Sequence, residues 1–490
     1  MRAPLALLAG VMAVTAALAG CVGPGSESLQ DALAAGLAPI LPAVGQPPAK
    51  FSPAIVVDAD LGGTEPSLVV DHEGRILVAA PTGLTPNSAD HRFSGQFWRS
   101  EDNGNTFEHL EGLGLAGLYG PSIGGGDSDI AADAQGNLYA IDLWLGNVGL
   151  LTSQDHGDTW LRGAPLTFAS AGDDRQWIDV NQATGEVYIA ANSLSTGLWV
   201  IKSTDEGATF PQQALAVAHA DRGGCICPPG VLTVDEATGN VYLPYYVNPH
   251  GVGLAVSKDG GASFERFLLP ESDGGHLPDD NSGELGGSFV AMAHDMAGNL
   301  YVAWEQDTEA GHRIVLQTST DQGASWTSPA YLDPIAQGEQ IFPWIVAGEP
   351  GRAAVAWYEI NEADEWNVRL AVTTLGLDAK PSWGISQLNP EPVLTGAYDR
   401  SALGDFFEIA LAPDGSIHAV WNAKLADGKG AIVSAHQVGG PVLLTGAPGP
   451  APAPERPTQL VLPAVKPTDP LAMTEAGAEM AAEAAGLPDR

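Results

Sequence analysis

The sequence predicts an all-β fold, a seven-bladed β-propeller with disordered termini, and a six-bladed ring is the alternative. The chain has 490 residues, of which 60 are glycine and 37 are proline. An ordinary protein contains roughly 7% glycine and 5% proline, so both residues are over-represented here. Because these residues favour turns, the composition indicates many short strands rather than a helical bundle.

A glycine turn between two apolar strands recurs along the chain. The turn glycines are Gly74, Gly136, Gly185, Gly239, Gly298, Gly351 and Gly415. A period of roughly 50 to 60 residues is typical of units that cannot bury their faces alone. We therefore expect four short strands in each unit, as in a propeller blade. A strand within 54–57 should pair with the last blade, because an open ring leaves strand edges unpaired.

A second motif, Ser-x-Asp-x-Gly-x-Thr/Ser-aromatic, occurs in five of these units and is typical of a hairpin tip. The copies begin at Ser100, Ser153, Ser203, Ser257 and Ser319. The aspartate can accept N–H groups across the turn, and the glycine can take a positive φ. No clear copy occurs in the sixth and seventh units.

The two ends of the chain read as segments outside the fold. Residues 1–21 form an apolar stretch that ends in Leu-Ala-Gly-Cys, which resembles a lipobox with Cys21 as the lipidated residue. Secretion without a lipid is the alternative. Residues 22–52 are predicted to be a flexible tether and residues 53–440 the propeller. Residues 441–490 form a Pro/Ala-rich, largely disordered tail. The expected location is extracytoplasmic, lipid-anchored to the membrane.

The charge of the chain limits its partners. There are 59 acidic and 21 basic residues, which gives a net charge of −38. Phosphate neutralisation needs a basic surface, so nucleic acid is not an expected partner. Contact with a membrane is expected only through the lipid anchor. The expected partner is a glycan or a cell-surface protein, and the expected state is a monomer.

The five hairpin motifs resemble Asp boxes, the bacterial neuraminidase (BNR) repeats of the sialidase superfamily. This resemblance implies a propeller and a glycan-related role over about residues 54–437, but Asp boxes are structural. Sialidases hold the substrate carboxylate with three arginines and attack with a tyrosine. Here the position of the first arginine is Glu65, and the position of the tyrosine is Phe406 or Phe407. A non-sialidase glycan binder or glycoside hydrolase is therefore expected, and a non-catalytic scaffold is the alternative.

Candidate site residues lie in the loops that lead into the innermost strands or leave the second strands. Carboxylates and a tyrosine that could serve as acid, base or nucleophile are Asp174, Glu305, Glu359, Asp399 and Tyr398. Arg175 and Arg400 could clamp a ligand or could form structural ion pairs. The predicted stacking platforms are Tyr245, Tyr246 and Tyr358. Glu65 and Asp127 belong to the same acidic set of loops.

The two remaining cysteines, Cys225 and Cys227, favour a local disulfide outside the cytoplasm. A redox or metal role is the alternative for this pair. No metal site or cofactor is predicted, although carboxylates and carbonyls could hold a structural Ca²⁺.

Overall fold

The computed structural model describes most of the chain between residues 47 and 446. The described residues are 47–81, 95–110, 127–144, 147–162, 166, 172–224, 227–248, 251–272, 289–308, 311–333, 338–377, 382–425, 428 and 430–446. Cys21 and Cys225 lie outside these ranges, as do the greater part of the predicted tether and tail. In the described part of the chain, no helix has the length and apolar character that crossing a membrane requires.

Seven antiparallel sheets follow one another along the chain, and we number them as blades I to VII. Blade I contains β3 Ser67–Val70, β4 Ile76–Pro81, β5 Gly95–Ser100 and β6 Glu108–His109. Blade II contains β7 Ser128–Ala132, β8 Leu138–Trp144, β9 Asn147–Ser153 and β10 Leu161–Arg162. Blade III contains β11 Asp173–Val180, β12 Val187–Ser193, β13 Gly197–Ser203 and β14 Gln212–Ala218, and a 3₁₀ helix His219–Arg222 follows it.

The remaining blades have the same order of strands. Blade IV contains β15 Thr233–Val234, β16 Val241–Tyr246, β17 Val252–Ser257 and β18 Glu265–Leu268. Blade V contains β19 Ala291–His294, β20 Leu300–Thr308, β21 Gly311–Ser319 and β22 Ala330–Tyr331. Blade VI contains β23 Glu339–Ala347, β24 Ala353–Ile360, β25 Glu365–Thr373, β26 Gly384–Gln387 and β27 Leu394–Thr395. A short helix α1 Arg400–Leu403 precedes blade VII, which contains β28 Glu408–Leu411, β29 Ile417–Lys424 and β30 Gly430–Gly439.

The start of the described chain completes blade VII and closes the ring. Strands β1 Lys50–Phe51 and β2 Ile55–Val56 both pair with β30, with Ile55 opposite Ser434. The innermost strands of neighbouring blades contact one another all the way around, including β28 of blade VII and β3 of blade I. The all-β, seven-bladed prediction is therefore confirmed, and the six-bladed alternative is wrong.

Antiparallel order gives the ring two different faces. The turns between the first and second strands lie on the same face as the turns between the third and fourth strands, and we call this the turn face. All seven predicted turn glycines lie there with φ between +71° and +86°, a range that side chains resist. The opposite face carries the loops between the second and third strands and the crossings between blades, and we call it the loop face.

The five hairpin motifs form one repeated hydrogen-bond network on the turn face. In the first copy, Ser100 donates to Asp102, and its Oγ accepts the N–H of Gly104 at 2.9 Å. Asp102 accepts both the N–H and the hydroxyl of Thr106, at 2.8 and 2.7 Å. The same serine, aspartate and Thr/Ser bonds recur in the other four copies.

Adjacent blades are held together by indole rings and by buried carboxylates. Trp304, Trp357 and Trp421 occupy the second strands of blades V, VI and VII and are almost completely buried. On innermost strands, Asp129 accepts the N–H of Ile178 in the next blade at 2.9 Å. Two further carboxylates make the same inter-blade bond, Asp179 to Val234 and Glu408 to Leu68.

Candidate functional site

Four aromatic side chains meet at the centre of the ring. Trp177 lies 5.2 Å from Phe289, 5.4 Å from Trp344 and 5.2 Å from Phe406, measured between ring centroids. Trp177 and Trp344 lie in blades III and VI, Phe289 and Phe406 lie in the crossings into blades V and VII, and all four are buried. They form an aromatic floor, and the candidate site lies above it on the loop face.

Arg175 lies on this floor. Its guanidinium carbon is 4.5 Å from the ring centroid of Phe289 and 4.6 Å from that of Phe406, so the cation faces two aromatic rings. Arg175 has a φ of +51° and interrupts the pairing of β11 with β12. A bulge of this kind redirects a side chain, and here it turns Arg175 out of the sheet.

Three carboxylates from other parts of the ring surround the Arg175 guanidinium. Its nitrogens lie 3.4 Å from Asp127, 3.5 Å from Glu65 and 3.9 Å from Asp405. These distances exceed the 2.7–2.9 Å or so of a charge-assisted hydrogen bond. The Nη1 atom is buried and finds no hydrogen-bond partner in the described part of the chain. The charge of the cation is thus compensated, but the N–H groups of Nη1 remain without a partner among the described residues.

Glu65 is held rigidly in the site. Its backbone N–H donates to Asn422 Oδ1 at 2.9 Å, and its side chain accepts the N–H of Asp405 at 3.1 Å. Gly404, at a φ of +67°, allows this approach, because an added Cβ would lie 2.3 Å from Glu65 Cγ. Like Arg175, Glu65 has a positive φ, +52°.

The surroundings of Glu65 favour the protonated form of its carboxyl group. Burial raises the pKa of Glu65 to about 8, against the opposing effect of Arg175, and the charges of Asp127 and Asp405 add to the increase. The two side chains are in hydrogen-bonding contact. Glu65 therefore retains its proton near neutral pH.

The predicted residues Asp174, Tyr398 and Arg400 lie around the same centre. Arg400 is exposed and bonds Asp405, whose other oxygen accepts the Tyr398 hydroxyl at 3.0 Å. That hydroxyl also lies 2.6 Å from the Gly404 carbonyl. Burial, followed by the charge of Asp405, raises the pKa of Tyr398, so the phenol stays protonated. Asp174 is exposed, and local desolvation together with Asp127 raises its pKa.

The other predicted carboxylates serve different partners. Asp399 accepts from Lys424 at 2.6 Å and from Ser401. Glu359 accepts two bonds from Arg369, at 2.9 and 2.6 Å. Glu305 accepts the N–H of Phe342 in the next blade, and burial raises the pKa of Glu305 to about 8.

The tyrosines predicted as stacking platforms are enclosed by the sheets. Tyr245, Tyr246 and Tyr358 are at most 3% exposed. The Tyr358 hydroxyl accepts the N–H of Asn422 at 3.0 Å. Gly253 lies directly against the ring of Tyr245, where an added Cβ would be 2.4 Å from the ring. None of the three rings presents a face to a ligand, because each one packs inside or between blades.

Two further groups bear on predicted cysteine and metal chemistry. Cys227 is disulfide-bonded, while Cys225 lies outside the described residues. Asp235, Glu236 and His294 bring ligand-type atoms within 4.8 Å of one another. However, both ring nitrogens of His294 face carbonyl oxygens, at 2.9 and 3.2 Å, and the nearby carboxylates raise its pKa against the effect of burial. A protonated imidazole has no lone pair for a metal, so this cluster is better described as an ion pair.

Sequence reasoning did not single out Asp405. It follows Gly404 and precedes Phe406, just as Asp174 precedes Arg175 and Trp177. The signal that could have identified it is this similar placement of an acid and an aromatic residue at the start of β11 and just before β28.

No protein-family model matches this sequence, and no curated protein matches it either. Solved structures that resemble it include a PL25 ulvan lyase, with 13% identity over 77% of this chain and 95% of the lyase and a TM-score of 0.49. An α-L-arabinanase from Penicillium chrysogenum shares 11% identity over 79% of this chain and 98% of the arabinanase, with a TM-score of 0.44. A sialidase from Streptococcus pneumoniae shares 12% identity over 82% of this chain and 70% of the sialidase, with a TM-score of 0.38. At such scores the likeness does not bear on activity, and the propeller is established by the sheet order of the chain itself.

Proposed function

We propose that this chain is an exported, lipid-anchored, sialidase-like propeller with Asp boxes on its turn face, which binds an extracellular glycan at the centre of its loop face. The observation that carries this proposal is the Arg175 guanidinium, whose buried Nη1 has no hydrogen-bond partner among the described residues while carboxylates from other parts of the ring surround it. A sugar hydroxyl both accepts and donates a hydrogen bond, so it fits between such a donor and such an acceptor.

Sialidase chemistry is not part of the proposal. Glu65 stands where the resemblance places the first arginine for the substrate carboxylate, and it lies in the centre of the site. Phe406 stands where the tyrosine nucleophile is expected, and its ring is part of the floor. A phenyl ring cannot attack a glycosidic carbon. The carboxylates beside Arg175 also oppose the binding of a substrate carboxylate.

The contact between Glu65 and Asp127 supports binding over hydrolysis at this pair. Most glycoside hydrolases hold their two carboxyl groups about 5–10 Å apart, to leave room for a water or for a covalent step. Glu65 and Asp127 are in hydrogen-bonding contact instead. The proposal therefore assigns no acid–base role to the Glu65–Asp127 pair.

The test combines a glycan array with a fluorogenic sialoside assay on the purified protein. We expect glycan retention by the wild type, reduced retention by Arg400→Ala, and no cleavage of the sialoside. Arg75→Ala is the matched control, since Arg75 pairs with Asp71 and Glu73 on the turn face. Equal retention by both variants would contradict the proposed location of the site, and cleavage of the sialoside would contradict the proposed chemistry.

The anchor has its own test, because it rests on Cys21 alone. Replacing Cys21 with serine removes the thiol that would carry the lipid. We expect the variant protein to leave the membrane fraction and appear in the soluble fraction. A processed Cys21→Ser protein that stays membrane-bound would show that another segment holds it there.

A further inference from the structure

We propose that the central site accepts an uncharged sugar through adjacent hydroxyl groups and rejects sugars that carry a carboxylate. This inference rests on the proposed glycan function and narrows it to one class of ligand. It starts from the pairing of one buried cation with several carboxylates around Arg175.

The donors of Arg175 and the acceptors of Asp127 and Asp405 lie close enough to contact the same hydroxyl groups. Arg175 presents a planar fork of N–H groups, and Nη1 is buried without a partner in the described residues. Asp127 and Asp405 approach other atoms of the same guanidinium at 3.4 and 3.9 Å. A hydroxyl that accepts from Arg175 can donate its own proton to one of these carboxylates. Two adjacent hydroxyls can therefore satisfy the cation and the anions together.

A carboxylate ligand cannot do the same. It has acceptors only, so it could accept from Arg175 but could donate nothing to Asp127 or Asp405. It would also add a negative charge beside them at low dielectric, where repulsion between like charges is strong.

The charge of the site disfavours an anionic ligand. With Glu65 protonated, the centre contains the carboxylates of Asp127, Asp174 and Asp405 and the guanidinium groups of Arg175 and Arg400. The negative charges exceed the positive ones, so no net positive charge remains to hold an anion. The whole chain carries a net charge of −38, which also disfavours the approach of an acidic polysaccharide.

The proposal is tested by removing one negative charge without changing the shape of the side chain. Asp127→Asn and Asp405→Asn are compared with wild type on neutral oligosaccharides and on oligosaccharides that end in a uronic or sialic acid. Asp158→Asn is the control, because Asp158 is an exposed aspartate that pairs with Arg99 on the turn face. Glu65→Gln is the conservative variant, since an amide can replace a protonated carboxyl at this position. Thermal melting of each protein checks that it is folded.

We expect retention of neutral sugars, a loss of roughly tenfold in affinity for Asp127→Asn, and little change for Asp158→Asn. Such a loss is what removing one charged acceptor from a hydroxyl would produce. Free neutral monosaccharides should compete for the site, and free uronic acids should not.

Retention of acidic sugars, strengthened by Asp127→Asn, would overturn this inference and leave the proposed glycan function intact. Retention of neither class by the folded wild-type protein would overturn both. If Asp127→Asn fails to fold, the same comparison is made with Asp405→Asn, whose carboxylate is the more distant from Arg175.

Discussion

Carboxylates on the turn face and carboxylates near the axis accept similar backbone hydrogen bonds, yet their pKa values shift in opposite directions. On the turn face, the hydroxyl and N–H of Thr159 lower the pKa of Asp155 to about 2. Near the axis, burial raises the pKa of Asp129 to about 7, although Asp129 accepts the N–H groups of Ile178 and Ile130. The number of hydrogen bonds is therefore not what decides the sign of the shift.

Solvent decides it. The turn aspartates keep water on one side, so each hydrogen bond adds to the stability of the charged form. The carboxylates near the axis lose their hydration. The free-energy cost of burying the charge exceeds the stabilisation from hydrogen bonds with one or two N–H groups. A charged group therefore destabilises the fold less on the turn face than near the central axis of the ring, where Arg175 lies.

The largest expected effect comes from removing that cation. Arg175→Met leaves Glu65, Asp127 and Asp405 facing one another with only the exposed Arg400 beside them. We expect a loss of about 3–5 kcal/mol in the free energy of unfolding at pH 8. The loss should be smaller at pH 5, because the carboxylates can then take up protons. Urea unfolding at both pH values measures the difference.

The matched control for this substitution is Arg75→Met on the turn face. Arg75 is partly exposed and pairs with the exposed Glu73 and with the buried Asp71, which keeps the N–H groups of residues 73 and 75 as donors. About 1 kcal/mol or less is therefore expected, with little pH dependence. Equal losses for the two variants would show that the axis is no more sensitive to charge than the turn face.

The pH dependence of stability is the next largest effect. Burial raises the pKa of Glu65 and Glu305 to about 8 and of Asp142 and Asp179 to about 7. Between pH 4 and pH 8 the folded chain holds protons that the unfolded chain has released, so stability falls as pH rises. The slope is about 1.4 kcal/mol for each pH unit and each such group.

We therefore expect a higher melting temperature at pH 5.5 than at pH 8.5, with a shallower slope in Glu305→Gln. His418 acts in the opposite sense, because burial lowers its pKa to about 3 and stability falls as pH drops below its ordinary value of 6.5. Melting temperatures that rise steadily from pH 5.5 to 8.5 would show that these buried carboxyl groups do not hold protons in the folded chain.

A smaller effect is expected on the turn face. Asp102→Ala removes the acceptor for the N–H groups of Asn105 and Thr106, which then turn to water. We expect a loss of about 1 kcal/mol and unchanged glycan retention. Denaturant unfolding and the glycan array measure the two quantities. A defect in retention without a loss of stability would show that the turn face takes part in binding.

The smallest effect is expected at Asp399, a carboxylate on the loop face that lies outside the central cluster. Its partners are Lys424 and Ser401, so Asp399→Asn should cost less than about 1 kcal/mol. Glycan retention should not change. If Asp399→Asn weakens retention as strongly as Asp127→Asn does, the site extends well beyond Arg175 and its neighbours.

The sequence predicted the ring because its information is local and repeated. Each turn glycine and each Ser-x-Asp turn depends on residues at most a few positions apart, so the blades could be counted from spacing alone. Closure was predictable as well, because it follows from the need to pair the edge of β30.

The site depends on contacts between distant parts of the chain, and these do not appear as spacing. Asp405 and Glu65 are 340 residues apart in sequence and share a hydrogen bond. Tyr245, Tyr246 and Tyr358 were expected in loops that leave second strands, yet they lie within β16 and β24, where the sheets enclose them. Burial depends on what the neighbouring blade presents, and one sequence does not reveal that.

Closure of the ring by β1 and β2 has a consequence for the order in which the protein can mature. The first strands to be synthesised are the last to find their partner, because β30 is made nearly 400 residues later. Blades I to VI can form as they emerge, but the ring cannot lock until residue 439 is available. During synthesis, and during any passage across a membrane, the segment 50–56 remains an unpaired strand. It is then accessible to chaperones and proteases.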